Sequence, residues 1–285
     1  MTAVAALGGG HGLAATLRAV QRYAASVTAI VSVADDGGSS GRLRETFGIL
    51  PPGDLRKCLV ALGDPQSVWA DAFEYRFGAG ELEGHPLGNL LLAGLAAVTR
   101  SWPDALDEAG RMVGAAGRVL PATLVPVVLK ADTAAGEVQG QAAVMRSAAI
   151  SGVSLVPPDA EAPPEAVEAI LGADQVVIGP GSLFTSILAA ATVPRLRDAL
   201  AATRGRKVYV ANLRPQVPET EGYDVADHVA ALAAHGVEVD VVVCDPSAIA
   251  VGRLTVPLVE ADLERGDGVG HDPAKLASVL ADLVG

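Results

Sequence analysis

Val27-Thr28-Ala29-Ile30-Val31-Ser32-Val33-Ala34-Asp35-Asp36-Gly37-Gly38-Ser39-Ser40-Gly41-Arg42-Leu43-Arg44 is the stretch on which the fold class turns. Val27 to Val33 is short, rich in β-branched residues and bounded by polar ones, the pattern of a buried strand. Carboxylates, glycines, hydroxyls and guanidiniums crowd together directly behind it, which is the chemistry of a site and not of a core. The loop therefore leaves the carboxyl end of a strand. In open α/β sheets that edge carries the ligand, in the crevice where the strand order reverses.

Composition agrees with an α/β reading. At 285 residues and 50% hydrophobic content the chain can bury a large core, and with only 4% aromatic residues that core must be built from Ala, Val and Leu. Small-residue helices covering a parallel sheet fit this economy. The expected fold is α/β with a mostly parallel sheet, as one domain over 1–285 with a β-rich insertion near 118–156. A formal charge of −12 opposes general nucleic-acid binding, which needs a basic footprint. Cys58 and Cys244 are too few for a disulfide framework or a thiolate zinc site. No secretory leader and no apolar run of spanning length is visible, so the expected location is the cytoplasm. The longest apolar run, Leu90 to Val98, reads as a buried helix.

Working outward, Thr2 to Leu7 is an apolar strand, and Gly8-Gly9-Gly10-His11-Gly12 turns into a helix bearing Leu13, Leu17 and Val20 on one face. Strand, glycine loop and helix together bring backbone N–H groups and the helix N-terminus to a phosphate. The spacing is not the dinucleotide fingerprint, because residues 13 to 15 are Leu, Ala and Ala. Leu50-Pro51-Pro52-Gly53-Asp54-Leu55-Arg56 opens a further helix, where Asp54 serves either a ligand or the cap. His85 and Asn89, four apart in Gly84-His85-Pro86-Leu87-Gly88-Asn89, share a helix face at its mouth if the helix begins near His85. Strands are expected at Leu124 to Lys130 and Val138 to Gln141. The strand Gln175 to Ile178 leads into Gly179-Pro180-Gly181-Ser182-Leu183-Phe184-Thr185-Ser186, a second phosphate-type loop in which Ser182 and Thr185 cap the helix or donate to a ligand. Further strands at Lys207 to Ala211, before Asn212, and at Val239 to Cys244, and a last helix from Pro273 to Val284, complete the alternation.

Taken in order, the motifs at Gly8 to Leu13, Val33 to Leu43, Pro51 to Arg56, Gly84 to Leu90 and Ile178 to Ile187 resemble the gluconeogenesis factor (YvcK-like) family. That family shares a superfamily with CofD, the 2-phospho-L-lactate transferase of deazaflavin cofactor synthesis. The resemblance implies a CofD-like fold, a Rossmann-like three-layer αβα sandwich with a mostly parallel sheet, and a nucleotide-sugar ligand such as UDP-N-acetylglucosamine. It further implies a regulatory role in carbon metabolism, envelope synthesis and cell shape. By that likeness Gly9, Gly10, Gly12, Asp35 and Asp36 line the pocket, with Asp54, Arg56, Asn89, Gly181, Ser182 and Asn212 around it. His11, Gly37, Ser39, Ser40, Arg42, Gly53, His85, Gly179 and Thr185 complete the candidate set. Asp36 is the candidate metal ligand. No cofactor is required, with Mg2+ entering only beside a nucleotide diphosphate. Expected partners are a UDP-sugar, a second copy of the chain and proteins of cell-wall regulation.

The pattern departs from the family at His11, Lys57 and Pro86, where Thr, Asn and Ser are usual, and at Gly270-His271-Asp272, where the family has Arg-His-Asp. The missing guanidinium is then expected either to weaken sugar-nucleotide affinity or to be replaced by Arg253. No placed nucleophile or acid–base pair accompanies the loops, so a binder that performs no turnover is expected. The alternative is a CofD-like phospholactyl transfer to a deazaflavin. Gly37 to Gly53 and Gly266 to Asp272 are the segments expected to move.

Overall fold

The computed structural model describes residues 1–284. Its first half runs β1 (Ala3–Gly8), α1 (Gly10–Val20), β2 (Ser26–Val31), α2 (Gly38–Phe47), α3 (Gly53–Leu62), α4 (Val68–Glu74), α5 (Leu87–Thr99), α6 (Trp102–Val113) and β3 (Arg118–Pro121). There follow β4 (Val128–Thr133), β5 (Gly136–Gln139), α7 (Gln141–Val144), β6 (Ile150–Val156), α8 (Pro164–Leu171) and β7 (Gln175–Ile178). A π-helix, Leu183–Leu188, precedes α9 (Ala189–Ala191), α10 (Pro194–Ala202), β8 (Arg206–Val210), α11 (Val225–Ala234), β9 (Val241–Cys244), β10 (Leu258–Glu260) and α12 (Pro273–Asp282).

Seven strands pair in the order β10-β9-β8-β7-β1-β2-β3, every pair parallel. The chain first builds outward from β1 through β2 to β3, then returns to lay β7 on the other side of β1. The order thus reverses between β1 and β7, and the loops leaving those two strands diverge to opposite faces. A crevice opens between them. Strand residues alternate between two cores: Ala5 and Leu7 join one, Val4 and Ala6 the other. Helices cover both faces, which is the αβα sandwich that the family resemblance implies.

β4, β5 and β6 form a separate antiparallel sheet in the order β5-β4-β6, while β3 belongs to the main sheet. The β-rich stretch near 118–156 therefore divides after Pro121. One further expectation needs correction. Leu90 to Val98 is not buried on all sides: α5 buries Leu92 and Ala96, but Val98 is 82% exposed, because the helix packs by one face at the margin of its layer. Within Gly37 to Gly53, residues 38–47 are helical and Gly48 ends that helix in the left-handed region at φ 65°. Among the described residues no helix is long and apolar enough to cross a membrane.

Candidate functional site

A cleft of about 280 Å³ opens at the reversal between β1 and β7. Its floor is the entry to α1. No side chain caps that helix, so the amides of its first turn, at Gly10, His11 and Gly12, lack intrahelical acceptors and give the cleft a cluster of donors. The glycines are there for space. A Cβ at Gly12 would lie 2.2 Å from the Pro180 carbonyl oxygen, and one at Gly9 would lie 2.8 Å from Asp54 Oδ2 and 3.3 Å from Ser186 Oγ. Gly10 has φ +62°, a conformation most side chains resist.

One wall is acidic. Asp35 Oδ1 accepts the Gly37 amide at 2.9 Å within the β2–α2 loop, and Ser40 Oγ accepts the Gly53 amide at 3.1 Å, which draws the first turn of α2 onto the start of α3. Asp54, in the first turn of α3, lines the same cleft, and Lys57 donates to its Oδ1 at 3.0 Å. Burial pushes the Asp35 carboxyl above the ordinary carboxylate range, and the negative charge of Asp54 adds to the rise. Burial holds His11 below its ordinary value, with the Lys57 cation adding to the shift. The cleft thus sets amide donors and one ammonium beside two carboxylates.

The second loop behaves differently from the phosphate cradle expected of it. The Gly181 amide donates to Asn212 Oδ1 and the Gly181 carbonyl accepts from Asn212 Nδ2, both at 2.9 Å, so the side chain of Asn212 clamps the loop. At the π-helix the amides of Phe184 and Thr185 donate to Glu219 Oε1 at 2.8 and 3.3 Å, and the Thr185 hydroxyl donates to Glu219 Oε2 at 3.1 Å. A buried carboxylate of the chain itself occupies that helix start. Ser182 lines the cleft but makes no cap bond, and Thr185 is wholly buried.

Several other candidates brace the site from behind. Arg56 donates from Nε to Asn89 Oδ1 at 3.1 Å, Asn89 Nδ2 donates to Ser39 Oγ at 3.0 Å, and Ser39 Oγ lies 2.8 Å from His85 Nδ1. All four are buried, and Arg56 pairs in addition with Glu74. Because Pro86 is the N-cap of α5, the helix starts at Leu87, and His85 and Asn89 meet over Ser39 instead of facing the cleft. Arg42 donates to the Glu83 carbonyl at 2.8 Å and, with Asp36 and Gly38, borders a separate groove along α2. Gly179 packs under the second loop, where a Cβ would lie 3.1 Å from the Val210 carbonyl oxygen. Arg253 is exposed and is not among the residues lining the cleft. His271 is buried and within 3.1 Å of the Ala211 carbonyl, directly before Asn212, while Asp272 caps α12.

Sequence reasoning missed Gln141, Met145 and Gln216, which line the cleft from elements far away in the chain, and Glu219. No motif marks them. Lys57 stood out only as a departure from a family pattern. Among the described residues no group of three or more His, Cys, Asp or Glu side chains is arranged to hold a metal ion.

The sequence model of the family described as 2-phospho-L-lactate transferase CofD matches residues 4–277. The chain belongs to the CofD family. Within it, the chain is 43% identical over 303 residues to the "Putative gluconeogenesis factor" of Mycobacterium tuberculosis, covering 97% of this chain and 89% of that one. It is 42% identical over 235 residues to the "Gluconeogenesis factor" of Halalkalibacterium halodurans, covering 81% and 73%. A crystal structure of a UPF0052 family member from Bacillus halodurans superposes with a TM-score of 0.93 at 35% identity over 98% of each chain. The resemblance and the fold class expected from the motifs both stand, and this CofD-family chain shares its sandwich with that relative.

Proposed function

We propose that the protein is a regulatory binder of a nucleotide sugar of the UDP-N-acetylglucosamine kind, linking carbon metabolism to envelope synthesis and cell shape in the cytoplasm. The observation that carries the reading is the uncapped first turn of α1, whose amides meet Lys57 and His11 in one cleft at the strand-order reversal. A diphosphate is the ligand part that such donors select. At about 280 Å³ the cleft is near the lower end of the usual range for small-molecule sites, so it takes the diphosphate and its near neighbours, with the remainder of the ligand lying along the rim. Asp35 and Asp54 suit Mg2+, which is commonly held by one or two carboxylates together with substrate phosphates; bound there, it would neutralise the diphosphate beside them. Ser182 and Ser186 line the cleft, and among the described residues no hydrogen bond joins either hydroxyl to a base.

Calorimetric titration with UDP-N-acetylglucosamine, UDP, GDP and NAD, with and without Mg2+, tests the reading. The UDP-sugar should bind most tightly, and Gly10→Val should abolish that binding in a folded protein by forcing a side chain into a left-handed position. Unchanged affinity in folded Gly10→Val removes the diphosphate from the first loop. Lys57→Met should weaken UDP-sugar affinity by about tenfold, the worth of one charge-assisted contact. Its thermal midpoint should move little, since the partly exposed ion pair with Asp54 contributes little to stability. Multiple-turnover formation of a phospholactyl-deazaflavin from an activated phospholactate would replace the binder reading with a transferase.

A further inference from the structure

We propose that Asp36 is a positioning residue: it latches the segment around α7 against the β2–α2 loop and acts on the ligand through Gln141 and Met145, without touching it. The effect on ligand rests on the nucleotide-sugar reading above; the latch itself does not. Asp35 and Asp36 are adjacent in sequence but serve different places. Asp35 lines the cleft, whereas Asp36 borders the separate groove along α2. The Oδ1 of Asp36 accepts the Ala142 amide at 2.8 Å, across 106 residues of sequence. The receiving segment is shaped to that carboxylate. Gly140 has φ +94°, and a Cβ there would lie 2.5 Å from Asp36 Oδ2, so a side chain at 140 would push the two apart.

The residues beside this contact belong to the cleft. Gln141 precedes Ala142, Met145 follows it by three, and both line the site. A four-residue helix cannot hold its own conformation, because helix nucleation costs more than one turn returns. α7 depends on external ties: the Gly140 amide on the Leu129 carbonyl at 2.7 Å, Gln141 Nε2 on the Thr185 carbonyl at 3.3 Å, and Ala142 on Asp36. The first of these belongs to the small sheet. The other two hydrogen bonds join the segment to the body of the cleft, beside the packing of Val144 in the core, and Asp36 supplies the charge-assisted one.

Hydrogen exchange on ligand-free protein and titration with UDP-N-acetylglucosamine, each with and without Mg2+, separate a latch from a cation ligand. For Asp36→Ala, exchange across residues 140–146 should rise about tenfold or more and affinity should fall by a similar factor, equally in both metal conditions, as loss of one hydrogen bond to a carboxylate predicts. Asp36→Asn still presents Oδ1 to the Ala142 amide and should stay within about threefold of the wild type in both readouts, the margin left for losing the charge. Gly140→Ala, with Asp36 intact, should reproduce the loosening. Unchanged exchange in Asp36→Ala overturns the latch, and it does so whether or not the wild type binds a UDP-sugar. Loosened exchange with unchanged affinity removes α7 from the site. A loss in Asp36→Asn confined to the Mg2+ condition, with exchange intact, makes Asp36 a cation ligand. Failure of the wild type to bind any UDP-sugar refutes the proposed ligand and with it the action of the latch on it.

Discussion

Glu219→Ala is expected to destabilise the fold by about 3 kcal/mol, the cost of stranding buried donors that had a charged acceptor. The wild-type carboxylate takes the amides of Phe184 and Thr185 and the hydroxyl of Thr185, and all three donors lie in residues with next to no solvent exposure. Alanine leaves them with neither protein nor water. Glu219→Gln should lose less than half as much, because its Oε1 still accepts from both amides and it carries no charge to bury. Urea unfolding of the three proteins at one pH reads the difference, and equal stability of the alanine and wild-type proteins would show that water replaces the carboxylate. Burial also pushes the Glu219 carboxyl above its ordinary range, against the three hydrogen bonds that favour the charged form. With the folded value above the unfolded one, this group's contribution is full below the unfolded carboxylate range and declines as pH rises through the folded value. Glu219→Gln should lack that decline.

The second large effect is an acid limb carried by His271. Burial lowers this imidazole from 6.5 to about 4, with the bond to the Ala211 carbonyl opposing the shift only in part. The unfolded chain then binds a proton that the folded chain refuses. Stability contributed by this group is complete above the unfolded value near 6.5 and is lost as pH falls toward 4, by about 3 kcal/mol at the linkage rate of one pKa unit. Urea unfolding at pH 7.5, 6 and 4.5 should show the wild type approaching His271→Gln as the pH drops. A constant gap across that range would mean that His271 does not titrate in it. Burial also lowers buried His228, so a shallower acid limb should persist in the variant.

Much of the route to the cleft was legible locally. A glycine run directly after an apolar strand and before an amphipathic helix has few folded outcomes, so the uncapped start of α1 could be read from Leu7 to Leu17 alone. β7 was equally plain: Gln175 to Ile178 is flanked by punctuation on both sides and lies between helical patterns. Ambiguity began where one residue type serves two roles. Asp54 at a helix start fits a cap or a ligand contact, and only the approach of its Oδ2 to Gly9 put it in the cleft. His85 and Asn89 have the spacing of a shared face, but with Pro86 as N-cap the helix starts only at Leu87, and Ser39 draws both side chains inward.

By itself, then, the sequence determined the layers and the character of the loops, because periodicity, glycine placement and small-residue cores act through neighbours along the chain. Tertiary structure decided which loops share a site and which donors stay free. Reversal of strand order beside β1 depends on where β7 inserts, some 170 residues later, and no local pattern encodes that pairing. The two glycine loops read alike, yet the first keeps its amides open while the second gives its own to Asn212 and Glu219. The same is true of the paired aspartates, which successive residues turn to different partners: Asp35 to the cleft, and Asp36 to an amide 106 positions away. A carboxylate's role is set by the donors that reach it, and those arrive from parts of the chain that sequence distance hides.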